Sequence, residues 1–180
     1  MSKIKNVVVA LGVATALGIS TLPVATYAAS ATKNITVKVN ISSVIALSAD
    51  SLSTEVSMTP NSVNTAGLKT KLTVATNNKN GYKLTVKDAD NDFSMKSGDT
   101  TETIPARAGT LSAGTAGWNI SGGDLDKVAV SSTDQTVKTN NNAANVGIQE
   151  DIQMTYGVAT SAQQAQGTYQ DTIVYTATTL

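Results

Sequence analysis

Residues 68–86 read LKTKLTVATNNKNGYKLTV, and this stretch decides the fold class. Apolar residues such as Leu72 and Val74 alternate with polar ones before the asparagine-rich centre, and Leu84 and Val86 continue the alternation after it. A period of two residues is typical of a β-strand with one buried face. Asparagine and glycine accept the positive φ angles that reverse a chain, so residues 77–81 are predicted to join the two strands into a β-hairpin.

The same alternation recurs toward both ends of the chain. An opening strand is predicted from four residues of one parity, Ile35, Val37, Val39 and Ile41. A closing strand is predicted from a second such set, Tyr169, Asp171, Ile173 and Tyr175. A short strand is expected at residues 55–59, and the polar stretch 133–144 is expected to be a loop. In total the chain has about eight strand candidates, spaced as a β-sandwich or β-barrel requires.

The N-terminus has the three parts of a secretory signal peptide. Lys3 and Lys5 give a positive start, an uncharged apolar run follows over residues 7–22, and small residues come after Pro23. This run is short for a membrane span, which needs about 20 apolar residues, so an uncleaved anchor is the weaker alternative. We expect the protein to be secreted, with no membrane span left after the signal is removed.

The signal is predicted to be a helix over residues 1–28, with cleavage after Ala28 or as late as Ala31. The remaining residues, 29–180, have the length of one domain. Removal of the signal takes away two lysines and no acid, which leaves a net charge of −2. Nucleic-acid binding needs a concentrated positive surface, so nucleic acid is not an expected partner.

Catalytic residue types are scarce in this chain. It has no histidine and no cysteine, which removes the commonest general base, the commonest zinc ligands and every thiol nucleophile. Glu150 and Asp151 are adjacent acids, and neighbouring side chains on a strand point to opposite faces of the sheet. The protein is therefore predicted not to be an enzyme and to use no catalytic cofactor.

Asp88, Asp90 and Asp92 stand at alternate positions, like the acids at the start of a calcium-binding loop. An EF-hand loop requires glycine at position 93 and glutamate at position 99, where this chain has Phe93 and Asp99. A calcium site formed by the three aspartates and a solvated loop between strands both stay open as interpretations.

Trp118 is the only tryptophan and follows a glycine-rich loop. An exposed indole can stack on a sugar ring, which makes Trp118 and Asn119 candidate ligand-binding residues. The alternative is that Trp118 belongs to the core, with its N–H bonded nearby. Asp171 shares its parity with apolar residues, and we expect the closing strand to begin near it, with the carboxylate accepting hydrogen bonds at the rim of the sandwich.

The end of the chain carries a family resemblance. Residues 167–178, GTYQDTIVYTAT, resemble the closing strand of fimbrial subunits and spore-coat-U-like domains, in which a G-x-Y turn leads into a D-T strand. Residues 118–120, WNI, are similar to the first W-x-L motif of bacterial WxL-domain surface proteins, and a second such motif is missing at residues 175–177. The resemblance implies an immunoglobulin-like antiparallel β-sandwich of about 7–9 strands at the bacterial cell surface.

Three functions fit these features, and one of them is an accessory domain whose activity depends on a separate surface protein. The first is a structural subunit of a fimbria-like fibre or matrix, because the opening strand can complete the sheet of a neighbouring copy. The second is a monomeric adhesion module that binds cell-wall polysaccharide or host glycan through Trp118. The expected partners are therefore other copies of the chain, other surface proteins or a polysaccharide, and the expected location is extracellular or at the cell surface.

Overall fold

The computed structural model of the protein describes residues 30–142, 144 and 146–180. The predicted signal peptide lies outside these residues. No helix in the described part of the chain is long and apolar enough to cross a membrane. The chain divides into a first unit that ends at Val39 and a second unit that begins at Asn40. The described residues of the first unit, 30–39, contain no strand and are exposed.

The described part of the second unit contains ten β-strands and no helix. Five strands form one sheet, three form a second sheet, and two short strands form a ribbon. In chain order the strands are β1 Ile45–Ala49, β2 Val63–Thr76, β3 Tyr82–Asp88, β4 Ser94–Lys96, β5 Thr103–Pro105, β6 Gly117–Gly122, β7 Leu125–Val128, β8 Gln135–Asn140, β9 Ile148–Ala159 and β10 Ile173–Thr179. The predicted all-β antiparallel sandwich is confirmed, with ten strands where seven to nine were expected.

The core lies between the two main sheets. The larger sheet has the strand order β1-β2-β9-β6-β7, the smaller has β10-β3-β8, and the paired strands are antiparallel. Side chains of one parity from both sheets pack together, and the fully buried ones include Val74, Leu84, Val86, Val137 and Met154. Full burial of an aliphatic side chain contributes about 1.5–3 kcal/mol, so the alternation that predicts the strands also supplies the packing energy.

The predicted hairpin at residues 68–86 is wrong, although both of its strands exist. β2 pairs with β1 and β9 in the larger sheet, whereas β3 pairs with β10 and β8 in the smaller sheet. The loop between β2 and β3 therefore crosses from one sheet to the other and forms an arch. An apolar face needs a second layer to cover it, and strands placed in opposite sheets bury their apolar faces against each other.

Three further predictions are corrected by the structure. The expected loop at residues 133–144 contains β8, because Val137 fills the core while the backbone pairs with β3. Residues 55–59 form no strand, although Val56 and Met58 pack partly against the core. The predicted opening strand at residues 35–41 is not paired with any other strand of the described chain.

Candidate assembly site

The four apolar residues of the predicted opening strand are almost fully exposed. Ile35, Val37, Val39 and Ile41 have exposed fractions of 79–84%, and the segment 34–41 belongs to no sheet. Apolar side chains at every second position give a strand one continuous apolar face. A continuous apolar surface that is exposed to water commonly marks an interaction site.

Two edge strands lie beside each other at one side of the sandwich. β1 is an edge of the larger sheet, β10 is an edge of the smaller sheet, and the two strands are in contact. Their inward-facing side chains pack against the core but stay only partly buried. These side chains are Ile45, Leu47 and Ala49 on β1 and Ile173, Tyr175 and Ala177 on β10. The sandwich is therefore open along this side.

The edge formed by β10 has neither a charged residue nor a proline in residues 173–179. Its backbone bonds to β3 on one side, and residues 173–179 make no backbone hydrogen bond to any described residue on the other side. Charged residues on an edge prevent unwanted strand pairing, and β7 and β8, at the other ends of the two sheets, carry Lys127 and Lys138. Residues 172–180 carry no charge at all, a sequence signal that could have identified this edge.

The strand order leaves a position vacant beside β10. Immunoglobulin sandwiches combine one sheet of order A-B-E-D with a second sheet of order C-F-G. In this protein the strands β1, β2, β9 and β6 take the positions of A, B, E and D, and they follow along the chain in the same order as those strands do. The strands β3 and β10 take the positions of C and F. No described residue forms a strand at the position of G. One additional strand beside β10 would complete the smaller sheet.

A shallow apolar groove of about 380 Å³ lies at one end of the open side. Val44 and Ile45 line it at the start of β1, together with Thr76 at the end of β2 and Ile148 at the start of β9. β10 also ends here, because Thr179 is in register with Tyr82, which follows the arch loop.

Trp118 and Asn119 belong to the core. The indole is 2% exposed, and its Nε1–H donates to the carbonyl of Phe93 over 3.1 Å. Asn119 is 3% exposed, and its amide donates to the carbonyl of Gly109 over 2.7 Å. The core interpretation of Trp118 is confirmed. Neither ring face is free for a sugar, which corrects the interpretation of these two residues as ligand-binding groups.

The three aspartates predicted as metal ligands do not come together. Asp92 forms an ion pair with Lys96, and the hydrogen bond from that ammonium group lowers the pKa of Asp92. Asp88 and Asp90 instead lie close to Asp171, and the three residues offer carboxylate oxygens within 4.8 Å of one another. The alternation of acids therefore identifies two members of the cluster, and only the tertiary structure supplies the third.

The closing strand begins slightly later than predicted. Ile173 and Tyr175 lie in β10, whereas Tyr169 lies in the preceding loop. The Tyr169 hydroxyl donates to the carbonyl of Ala165 over 2.9 Å. Asp171 also precedes the strand, and its Oδ1 accepts the N–H of Thr172 over 2.7 Å. The expectation of a carboxylate that accepts a hydrogen bond at the rim is confirmed.

No family model, curated protein or solved structure matches this chain.

Proposed function

We propose that the protein is a non-catalytic structural subunit of a secreted or cell-surface fibre or matrix, which assembles by β-strand complementation. Residues 34–41 of one copy add to the free edge of β10 in the next copy. The observation that carries this proposal is the combination, in one chain, of an exposed strand-like apolar segment and an uncharged, half-covered sheet edge. Main-chain pairing of this kind is a general way to bind an extended peptide.

The dimensions of the two elements agree. The segment 34–41 has about the length of β10, which has seven residues. Its apolar face would cover the partly buried Ile173, Tyr175 and Ala177 from the open side of the sandwich. The opposite face of the segment is polar and contains Lys38, which fits a surface left in water.

The energy available explains why assembly would depend on concentration. Four buried apolar side chains contribute about 1.5–3 kcal/mol each, or about 6–12 kcal/mol together. Association costs about 4–15 kcal/mol in lost translational and rotational freedom. Since the two ranges overlap, backbone hydrogen bonds and the fit at the edge decide whether copies associate at a given concentration.

The predicted signal peptide supports an extracellular location, and the resemblance of residues 167–178 to fimbrial closing strands supports a role in assembly. The alternative of a monomeric glycan-binding module depended on an exposed Trp118. Because that indole is buried, no observation now favours this alternative.

The first experiment measures mass in solution over a concentration series, followed by negative-stain imaging. The wild-type protein is expected to give a ladder of oligomers or filaments. A variant with Ile35→Ser, Val37→Ser, Val39→Ser and Ile41→Ser is expected to stay monomeric, because it loses the apolar face of the segment. Its thermal stability should not change, since these side chains are exposed.

The matched control places four serines on the other face of the same segment, with Asn34→Ser, Thr36→Ser, Lys38→Ser and Asn40→Ser. This variant is expected to assemble like the wild type. A wild-type protein that stays monomeric at every concentration would refute the proposal and favour a binding module. Assembly that survives loss of the apolar face would refute the role of residues 34–41.

A further inference from the structure

Three carboxylates gather where β3 ends and β10 begins. Asp88 is the last residue of β3, Asp90 lies in the turn that follows, and Asp171 lies two residues before β10. The pairing of Ile173 with Asp88 brings these two chain segments together. Each of the three residues offers a carboxylate oxygen within 4.8 Å of the oxygens of the other two.

Asp88 is deeply buried and has an oxygen with nothing to bind. Its side chain is 2% exposed. Oδ2 accepts the N–H of Asp90 over 3.0 Å and also the N–H of Asn91. Oδ1 is buried without a hydrogen-bond partner among the described residues. Because the loop amides occupy Oδ2, Oδ1 is the oxygen left for the carboxylate cluster.

Asp171 repeats this arrangement from the opposite strand. Its Oδ1 bonds to Thr172, while its Oδ2 is buried without a partner in the described chain. Buried carboxylate oxygens that lack a partner cost free energy, and native structures rarely leave them so. Two orphan oxygens that belong to one cluster therefore point to a shared positive partner.

Among the described residues no basic side chain forms an ion pair with Asp88, Asp90 or Asp171. Lys96 is the basic group near the cluster, and it is already bound to Asp92.

We propose that Asp88, Asp90 and Asp171 form a calcium site at the base of β10. Carboxylate oxygens are hard ligands, which suit calcium, and backbone carbonyls and water commonly complete its six to eight ligands. The chain has no histidine or cysteine to favour zinc. Asp92 is not a ligand, although it belongs to the same run of alternating acids. Bound calcium would join the end of β3 to the start of β10.

The test is calorimetric titration of the purified, chelator-treated protein with calcium chloride, together with thermal unfolding in calcium or in chelator. Binding of one ion and a higher melting temperature in calcium are expected. Asp171→Asn and Asp90→Asn should each weaken binding by about tenfold or more, because affinity follows the charge of the ligand set. Asparagine keeps the side-chain oxygen that accepts the N–H of Thr172 or Asp92.

Asp92→Asn is the matched control. It removes one negative charge from the same turn, and the interaction that it breaks is the ion pair with Lys96. It should weaken calcium binding much less than Asp171→Asn does, because Asp92 is not a ligand and the only effect on the site is the freed charge of Lys96. Wild-type protein that gives no heat with millimolar calcium and no change in melting temperature would overturn the proposal. A loss of binding in Asp92→Asn as large as in Asp171→Asn would overturn the ligand assignment, and equal affinity for magnesium chloride would overturn the choice of calcium.

Discussion

Glu150 connects the two sheets through the core. It lies on β9 with its side chain directed inward, where it accepts the Tyr82 hydroxyl over 2.6 Å and the Asn140 amide over 2.8 Å. Partial burial raises the pKa of this carboxyl, but the hydrogen bonds from Tyr82 and Asn140 and the charge of Lys138 together outweigh it and leave the pKa below its ordinary value of 4.5. The ionised form is therefore favoured in the folded protein.

This shift predicts a pH dependence of stability at a single residue. A carboxyl whose pKa is lowered on folding stabilises the protein above its ordinary pKa, and the stability is lost as the pH falls through the folded pKa. Glu150→Gln should cost about 1 kcal/mol in the free energy of unfolding at pH 7, because charge-assisted hydrogen bonds become neutral ones. It should also flatten the decline below pH 4.5.

Urea unfolding at pH 7 and at several acidic pH values measures both effects. Glu55→Gln removes an exposed carboxyl and provides the control, with a pH profile expected to match the wild type. If Glu150→Gln follows the same profile as the wild type, the inward hydrogen bonds do not stabilise the ionised form.

The arch between β2 and β3 is the feature that distinguishes this fold from a set of hairpins. Asn77 fastens the loop to the start of β1, since its amide accepts the N–H of Val44 over 2.7 Å and donates to the carbonyl of Ser42 over 2.9 Å. Gly81 ends the loop with φ of 93°, and an added Cβ there would collide with the backbone carbonyl of Asn140 in β8. The loop is thus packed against the smaller sheet.

Gly81→Ala tests this packing. The substitution adds a backbone collision to the strain of a positive φ, so it should lower the free energy of unfolding by more than about 2 kcal/mol. Gly98→Ala is the control, because a Cβ at that position meets nothing within 4 Å, and its effect should stay within about 0.5 kcal/mol. Chemical denaturation measures both. Equal and small effects would show that the loop is not held against β8.

At the scale of the whole molecule, the proposed assembly needs a donor and an acceptor on different parts of one chain. The donor segment and the β10 edge can therefore be inactivated separately. Thr176→Lys places a charge on the exposed face of β10, where it should block strand addition while changing stability by no more than about 0.5 kcal/mol. Thr139→Lys, exposed on the opposite edge strand β8, is the control and should assemble normally.

Mixing the two kinds of inactive chain gives the sharpest outcome. The variant with four serines in place of the apolar donor residues keeps its acceptor edge, and Thr176→Lys keeps its donor segment. Each variant alone should remain monomeric, whereas an equimolar mixture should form one-to-one dimers and nothing larger. Analytical ultracentrifugation separates these species. A mixture that stays monomeric would contradict strand addition at β10, and a mixture that forms filaments would show that the two variants do not inactivate separate surfaces.

Much of the fold follows from local pattern. The alternation around Leu72, Leu84 and Met154 predicts strands that the structure contains, because the faces of a strand repeat every two residues whatever the strand pairs with. The same pattern also predicts a strand at residues 35–41, where the described chain offers no partner. The sequence does not predict β8, because Val137 is its only buried apolar side chain and a single apolar residue makes no alternation.

The sequence by itself determined the all-β class, the absence of histidine and cysteine chemistry, and the apolar face of residues 34–41. Only the tertiary structure decided that β2 and β3 belong to different sheets, that Trp118 is buried, and that Asp171 joins Asp88 and Asp90 while Asp92 does not. The physical reason is the range of the interactions. Side-chain alternation is fixed by neighbouring residues, whereas strand pairing and carboxylate clusters depend on segments about 80 residues apart, whose meeting is decided by the burial of the whole core.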